Sequence, residues 1–173
     1  MGSPTIASVF AQRVVVGIGE IGASNNPSIT LSTYALGSCV GVVAYDPLMK
    51  AGGLLHIMLP DSSISPDKAI AQPAMFADTG LPLLFRALTG LKGDPSRIKI
   101  FVAGGASVWC ANDSFKIGER NIRAAASYLE RQGYRVRQSD VGGAVNRTVH
   151  LNVGTGEINL KSPVKNDTFI LNS

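Results

Sequence analysis

The stretch at residues 39–59, CVGVVAYDPLMKAGGLLHIML, contains the pattern that decides the fold. Its first seven residues, CVGVVAY, are β-branched and apolar at both alternating positions, which is typical of a strand buried on both faces. Turn-forming residues follow at 46–53, and Asp46-Pro47 suits the first two positions of a β-turn. The apolar run at 54–59 supplies a second strand, so the sequence predicts a β-hairpin.

The register of this hairpin decides whether Cys39 and His56 share a face of the sheet. Opposed residues in an antiparallel hairpin have position numbers with a constant sum, and their side chains share a face. A turn centred near 47–48 gives a sum of 95 and places Cys39 directly opposite His56. A turn centred near 48–49 gives a sum of 97, with Gly41 opposite His56 and Cys39 one diagonal step away. An even sum places the thiol and the imidazole on opposite faces.

Two helices and further short strands are predicted around the hairpin. Residues 119–132 have apolar positions at helical spacing, with Glu119 near the start and Gly133 just past the end as start and stop signals. Helical character is also predicted over 74–91, although Pro82 falls inside it. The other strands are predicted at 13–19, 29–36, 97–104, 134–141, 147–153 and 157–161, and loops at 22–28 and 60–68. This mixture predicts an α+β layered fold.

Length and charge narrow the class of protein. A chain of 173 residues can bury one core, so we expect a single domain over 1–173, with its core at about 13–161 and flexible tails at both ends. The formal net charge of +4 comes without any run of Lys or Arg. A nucleic-acid binder carries a concentrated basic stripe, so we expect no nucleic-acid partner.

Cysteine usage and hydropathy predict the cellular compartment. The chain has only two cysteines, Cys39 and Cys110, and no disulfide-rich pattern, which favours a reducing compartment. No apolar run approaches the ~18 residues that a membrane helix needs. The N-terminal sequence lacks the basic and apolar regions of a signal peptide. We therefore expect a cytoplasmic protein without membrane insertion.

Cys39 is a candidate nucleophile only if a base lies beside it. The chain has two histidines, His56 and His150, and only His56 lies in the strand predicted to pair with the one that begins at Cys39. His56 can equally be a core histidine whose two nitrogens are satisfied by the backbone. His150 lacks a matched cysteine, and we interpret it as structural or exposed.

Two other site types are weaker candidates. The spacing of 37–41, GSCVG, fits a nucleophile elbow with Cys in the Ser position, but that motif requires a helix after the nucleophile, and a strand and a turn are predicted there. A structural zinc site would need the four residues that can ligate a soft metal, which lack the close spacing of known zinc motifs. These four are Cys39, His56, Cys110 and His150.

The string at 35–62, ALGSCVGVVAYDPLMKAGGLLHIMLPDS, resembles the core signature of the chemoreceptor glutamine deamidases of bacterial and archaeal chemotaxis, the CheD family. Further segments agree in order: FADTGLPLL (76–84), KIFVAGGAS (99–107), IGERNIRAAASYLERQG (117–133), DVGG (140–143) and TGEINLK (155–161). The resemblance covers roughly 13–161. Its most specific features are the Cys-to-His separation of 17 residues and the GERN and DVGG segments.

The resemblance implies a cysteine hydrolase, a protein-glutamine glutaminase that converts glutamine side chains of methyl-accepting receptors to glutamate. Family members have also been linked to hydrolysis of receptor glutamate methyl esters. By motif, Cys39 is the nucleophile, His56 is the general base and Thr33 orients the imidazole. Backbone N–H groups around Ser38 and Cys39 are the expected oxyanion donors.

The resemblance also implies the fold, the cofactors and the partners. The family fold is similar to that of deamidating bacterial toxins, a layered sandwich of mixed β-sheets with helices packed outside. No metal and no organic cofactor is implied. The substrate is a methyl-accepting chemotaxis receptor, and in some organisms a family member also binds a CheC-type chemotaxis phosphatase.

The chain departs from the family pattern in two places. Asn146-Arg147 stands where the family often has Gly-Arg after DVGG, and Trp109-Cys110 follows no fixed pattern. We interpret Cys110 as a bystander. The alternative function is a non-catalytic chemotaxis adaptor that binds receptors or a phosphatase, although an adaptor would not need Cys39, His56 and Thr33 together.

Overall fold

The computed structural model describes residues 11–107 and 114–172. Ten strands span these two ranges: β1 (Gln12–Val15), β2 (Ile21–Ser24), β3 (Ile29–Leu36), β4 (Val40–Asp46), β5 (Ala51–Ile57), β6 (Lys99–Gly104), β7 (Val136–Val141), β8 (Arg147–Asn152), β9 (Glu157–Lys161) and β10 (Asn166–Ile170). The α-helices in the same ranges are α1 (Pro66–Ala71), α2 (Ala77–Gly90) and α3 (Ile117–Arg131).

The strands form two five-stranded mixed sheets. The first sheet has the order β1-β3-β8-β9-β10, and only its β1–β3 pair is parallel. The second sheet has the order β2-β5-β4-β6-β7, and only its β6–β7 pair is parallel. Mixed sheets were expected from the family resemblance, and the structure confirms them.

The hairpin strand β4 contributes to two separate cores. Val43 and Tyr45 point into the space between the two sheets, together with Leu54 of β5. Val42 and Ala44 point the other way, toward the helices. This explains why the strand is apolar at both alternating positions. The layers are therefore helices, second sheet and first sheet, which confirms the predicted α+β sandwich with helices outside. The likeness to deamidating toxins stays a prediction.

The hairpin register has the sum 97. Val40 pairs with Ile57, Gly41 with His56, and Val42 with Leu55. Of the two registers that place Cys39 and His56 on one face, the hairpin adopts the one in which Cys39 is one diagonal step from His56. Cys39 directly precedes β4 and, like His56, contributes its side chain to the space between the sheets, where it packs against the apolar core.

Two segments predicted as irregular are strands. The predicted loop at 22–28 is wrong at its start, because Ile21–Ser24 forms β2 along the edge of β5. The expected flexible C-terminal tail is also wrong. The Ser162 N–H donates to the Lys165 carbonyl at 2.9 Å and turns the chain, and β10 then pairs with β9 along its whole length. Both strands lie at sheet edges, where a neighbouring strand stabilises a sequence with few strong β-formers.

Other strand and helix boundaries differ from the predicted ones by a few residues. β1 ends at Val15 although a strand was predicted through 19, and α1 begins inside the predicted loop at 60–68. The predicted N-terminal tail lies mostly in 1–10, outside the described residues. In the ranges that the structure describes, no helix is both long enough and apolar enough to span a membrane.

Candidate active site

A hydrogen-bond relay fixes the ring of His56. The Thr33 hydroxyl donates to the carbonyl of Val16 at 2.7 Å, and the same Oγ1 lies 2.7 Å from His56 Nδ1. A hydroxyl has one hydrogen to donate, so Thr33 Oγ1 must accept from His56. The proton of the neutral ring is therefore on Nδ1, and Nε2 carries a lone pair. This is the tautomer that a general base needs at Nε2.

The backbone of β3 turns sharply just after Thr33. The pairing of β3 with β8 shifts between Thr33 and Leu36, and Ala35 within this bulge has φ of 56°. A left-handed alanine is uncommon and marks a local constraint. The bulge ends the strand and carries the chain across to β4 in the other sheet. It thereby leaves Thr33 on the inner face of the first sheet and brings Cys39 to the second.

Gly41 keeps the space between these groups open. A Cβ built on Gly41 would lie 2.9 Å from Leu36 Cδ1 and 3.7 Å from Thr33 Cγ2. Gly41 is directly opposite His56, so a side chain at this position would press on Leu36 and Thr33 next to the imidazole.

Cys39 is half-buried, and its backbone is fixed on both sides. Its carbonyl accepts from the N–H of Gly105 at 2.8 Å, and the carbonyl of Gly37 accepts from Ala106 at 2.7 Å. Burial raises the pKa of the Cys39 thiol, and its own backbone N–H opposes that rise. The resting side chain is therefore a neutral thiol.

His56 is also neutral at rest. Only 1% of the residue is exposed, and burial lowers the pKa of His56 to about 4, with the nearby charge of Glu20 opposing the change. Its Nε2 is buried and has no hydrogen-bond partner among the described residues, Cys39 included. A diagonal pair on one face of a hairpin is separated by about 7–8 Å between Cα atoms, within reach of a side-chain rotation.

The loop that precedes β2 holds His56 from the other side. The His56 N–H donates to the carbonyl of Glu20 at 3.2 Å, and the Gly19 N–H donates to the carbonyl of His56 at 2.9 Å. The same loop begins at Val16, whose carbonyl ends the relay. The sequence did not indicate this contribution, because a backbone carbonyl leaves no residue-type signal.

The backbone N–H groups of Ser38 and Cys39 lie beside the thiol. Among the residues that the structure describes, no carbonyl accepts from the N–H of Ser38 or of Cys39. The expected oxyanion donors therefore include the two N–H groups nearest to the sulfur.

Sequence reasoning assigned no role to Asn121, although it noted the GERN segment that contains it. Asn121 is fully buried in α3 and donates to the carbonyl of Ser38 at 2.9 Å and to that of Met58 at 3.0 Å. The sequence offered one signal for Asn121. It is the fourth residue of GERN and lies on the face of the helix away from the charged residues.

Close glycine contacts bring α3 this near. A Cβ on Gly118 would lie 2.5 Å from the Gly105 carbonyl oxygen, and a Cβ on Gly105 would lie 2.3 Å from Ile122 Cγ1. Gly104, with φ of 107°, would place a Cβ 2.2 Å from the carbonyl oxygen of Cys39. Backbone therefore packs on backbone around Cys39.

The structure explains the arginine of the pair Asn146-Arg147. Arg147 is buried and pairs with Asp140 at 2.7 Å. It also donates to the carbonyl of Gly142 at 2.9 Å. The Gly142 N–H in turn donates to Gly104 at 2.9 Å. Arg147 thus supports the turn that contacts Cys39. Asn146 is exposed, and nothing in the structure explains it.

In the described residues, the structure supports neither the nucleophile elbow nor the zinc site. β4 follows Cys39 where an elbow would require a helix. His150 bonds to Ser32 at 2.7 Å on the outer face of the first sheet, away from Cys39 and His56. Cys110 lies outside the described residues. Within 11–107 and 114–172, no three His, Cys, Asp or Glu residues form a group that could hold a metal ion.

A family model and two relatives that match this chain agree in name. Residues 58–162 match the family model described as CheD chemotactic sensory transduction. A protein of Syntrophus aciditrophicus named probable chemoreceptor glutamine deamidase CheD 1 is 46% identical over 149 residues, 86% of this chain and 93% of that protein. A Thermococcus kodakarensis protein named probable chemoreceptor glutamine deamidase CheD is 37% identical over 86% of this chain and 92% of that protein.

The matches do not assign the site. The family-model match begins two residues after His56, so it contains none of Thr33, Cys39 and His56. Among solved structures, a Neisseria meningitidis protein of the family DUF152 matches with a TM-score of 0.42 and 11% identity, over 75% of this chain and 62% of that one.

Proposed function

The chain belongs to the CheD family, and on that premise we propose that it is a cysteine-dependent amidohydrolase that deamidates glutamine side chains of chemotaxis receptors. The names of its relatives support the receptor as substrate and glutamine as the group that is changed. We propose Cys39 as nucleophile, His56 as general base and Thr33 as the residue that orients the base.

The observation that carries this proposal is the relay from His56 through Thr33 to Val16. It leaves Nε2 unprotonated, buried and without a partner among the described residues. A structural core histidine would have both nitrogens satisfied. The vacant nitrogen lies on the same face of the hairpin as Cys39, which is the arrangement that nucleophilic catalysis requires.

In the first half-reaction, His56 Nε2 takes the proton from the Cys39 thiol as the sulfur attacks the carboxamide carbon. The C=O electron pair moves to oxygen, and the N–H groups of Ser38 and Cys39 stabilise the oxyanion. One such donor is typically worth about 3 kcal/mol in an acyl-transfer site. Collapse of this adduct breaks the C–N bond. The proton on Nε2 passes to the leaving nitrogen, so ammonia departs and a thioester remains.

In the second half-reaction, His56 Nε2 takes a proton from water as the water oxygen attacks the thioester carbon. The C–S bond breaks, and the sulfur recovers its proton from the imidazole. The sum is glutamine plus water to glutamate plus ammonia. A glutamate methyl ester reacts by the same steps, with methanol as the leaving group, and this second activity is part of the proposal.

Two further expectations belong to the proposal, one from the family resemblance and one from cysteine usage and hydropathy. A CheC-type phosphatase as partner and a cytoplasmic location both stay predictions. The alternative is a non-catalytic adaptor that binds receptors or such a phosphatase. The alternative predicts receptor binding without any change in receptor mass.

The test is intact-mass analysis of a purified cytoplasmic receptor fragment incubated with the protein. We expect the mass gain of replacing NH2 by OH with the wild-type chain, and none with Cys39→Ala or His56→Ala. Cys110→Ala, which changes the other cysteine, is the matched control and is expected to act like wild type. Wild-type deamidation by Cys39→Ala would overturn the nucleophile assignment, and binding without turnover by the wild type would favour the adaptor.

A further inference from the structure

Asn121 bridges the two strand ends beside the proposed nucleophile. Its side-chain nitrogen donates to the carbonyl of Ser38, which precedes Cys39. It also donates to the carbonyl of Met58, the position that the register places opposite Cys39. One amide group therefore joins the segment that carries the nucleophile to the strand that carries the base.

The chemistry of this junction demands two donors. The paired ladder of β4 and β5 ends at Val40 and Ile57. Just beyond it, the carbonyls of Ser38 and Met58 both converge on one point, and two acceptors cannot bond to each other. A primary amide carries two N–H donors on a single nitrogen, whereas a hydroxyl carries only one. Asparagine closes the open end of the hairpin where the backbone cannot.

The amide oxygen of Asn121, unlike the nitrogen, is not satisfied within the described residues. Asn121 Oδ1 is buried and has no hydrogen-bond partner among the described residues. Turning the amide over would place this oxygen against two carbonyls, so its two donor bonds fix its orientation. A buried acceptor without a partner is unfavourable, and such groups concentrate where function constrains the structure.

We infer that Asn121 is a positioning residue for Cys39: it holds the backbone of the nucleophile at a fixed distance from the strand of His56. This inference rests on the proposed function. Asn121 touches no reacting atom and acts through the backbone. Misplacement of a reacting group by ~1 Å can lower a rate by about 10²-fold, so loss of the bridge should lower kcat more than substrate binding.

The experiment compares Asn121→Asp and Asn121→Ala with Leu129→Ala. Asp keeps the size of the side chain but puts an oxygen against the two carbonyls, and Ala removes both donors together with the orphan oxygen. Leu129 is buried on the same helix in the core beneath the second sheet, so its truncation destabilises α3 without touching the site. Ammonia release from a receptor fragment is measured at a temperature where circular dichroism shows each variant folded.

We expect both Asn121 variants to lower kcat by about 10–100-fold with little change in KM, and Leu129→Ala to retain the wild-type kcat. Retention of kcat by the folded Asn121 variants would overturn the inference. If neither variant folds, Asn121 is structural, and the inference is equally overturned.

A second measurement does not depend on the reaction. Iodoacetamide alkylation, located to Cys39 by peptide mass spectrometry, should be faster in Asn121→Ala than in wild type, because the freed segment exposes the half-buried thiol. Leu129→Ala should alkylate at the wild-type rate. If wild type fails to release ammonia but this pattern holds, the proposed function fails while the positioning contact stands. Equal alkylation rates in all three proteins contradict the positioning contact.

Discussion

Thr33 determines which ring nitrogen of His56 carries the proton. Its single hydroxyl hydrogen is used on the carbonyl of Val16, so it can only accept from His56. The sequence identified Thr33 through the family resemblance but left open whether it donates or accepts. The answer depends on a backbone carbonyl 17 residues earlier in the chain, which no pattern of residue types indicates.

The first prediction concerns this relay. Thr33→Val keeps the shape of the side chain but removes the acceptor, so the buried Nδ1–H of His56 is unsatisfied and the ring loses its fixed orientation. We expect kcat to fall by about 10²-fold, the usual contribution of a positioned general base. Thr33→Ser retains the hydroxyl and is the matched control, expected to stay near the wild-type kcat. Ammonia release from a receptor fragment measures both, and equal rates for the two variants would rule out the relay.

At the scale of elements, the turn after β6 determines how close the other elements approach. Gly104 and Gly105 have φ of 107° and 68°, and both face backbone or side-chain atoms at short distance. The N-terminal turn of α3 packs directly on this turn through Gly118. The carbonyl of Cys39 is thereby bonded to Gly105, and Asn121 reaches the end of the hairpin.

The second prediction separates the cost of a left-handed backbone conformation from the cost of a steric clash with Cys39. Gly104→Ala combines a positive φ with a Cβ 2.2 Å from the carbonyl oxygen of Cys39, so we expect it to destabilise the protein by about 3–5 kcal/mol. Gly133, with φ of 78° and no atom within 4 Å of a Cβ, is the matched control. Gly133→Ala should cost only about 1–2 kcal/mol from its backbone conformation. Urea unfolding measures both, and equal losses would mean that the contact with Cys39 relaxes freely.

The elements that the sequence predicted are those with their own local signal. The strand at 29–36, the hairpin and the helix near 119–132 carry strong periodicity or turn residues, and each is present. The edge strands β2 and β10 depend on a neighbour for their pairing, so their polar and turn-rich sequences predicted loops. The sequence left the hairpin register open between two odd sums, which place Cys39 and His56 on one face, and an even sum, because the exact turn depends on packing.

The site shows the same division between local and tertiary information. Cys39 and His56 were found because one hairpin carries both. Asn121 was missed as a functional residue because its two partners are backbone carbonyls 83 and 63 residues away in the chain. Contacts of this kind arise only from the packing of α3 against the second sheet.

At the scale of the whole molecule, the candidate site lies between the two sheets, with His56 buried and Cys39 half-buried. The core between the sheets includes Leu31 and Leu36 from the first sheet and Val43 and Leu54 from the second. His56 is sealed in this layer, which is why its pKa falls to about 4. The burial that keeps His56 neutral over a wide pH range therefore also couples its protonation to the folding of the molecule.

The third prediction follows from that coupling. Above pH 6.5, the ordinary pKa of histidine, His56 is neutral in both the folded and the unfolded chain, and stability is full. As the pH falls from 6.5 toward 4, the unfolded chain takes up a proton that the folded one refuses, so the free energy of unfolding decreases. The total loss from this shift is about 3 kcal/mol, at about 1.4 kcal/mol per pH unit.

Urea unfolding between pH 4 and pH 8 of the wild type and of His56→Gln measures this loss. The pKa of His150 is also lowered by burial, so His56→Gln should keep a residual decrease over the same range. Carboxylates with lowered pKa, such as Asp46 beside Arg97, lose their contribution mainly below the usual pKa of 3.8 and affect both proteins equally. The difference between the two curves is therefore the contribution of His56. Curves that run parallel from pH 8 to pH 4 would mean that the imidazole is hydrated in the folded protein, and the neutral, buried base would have to be abandoned.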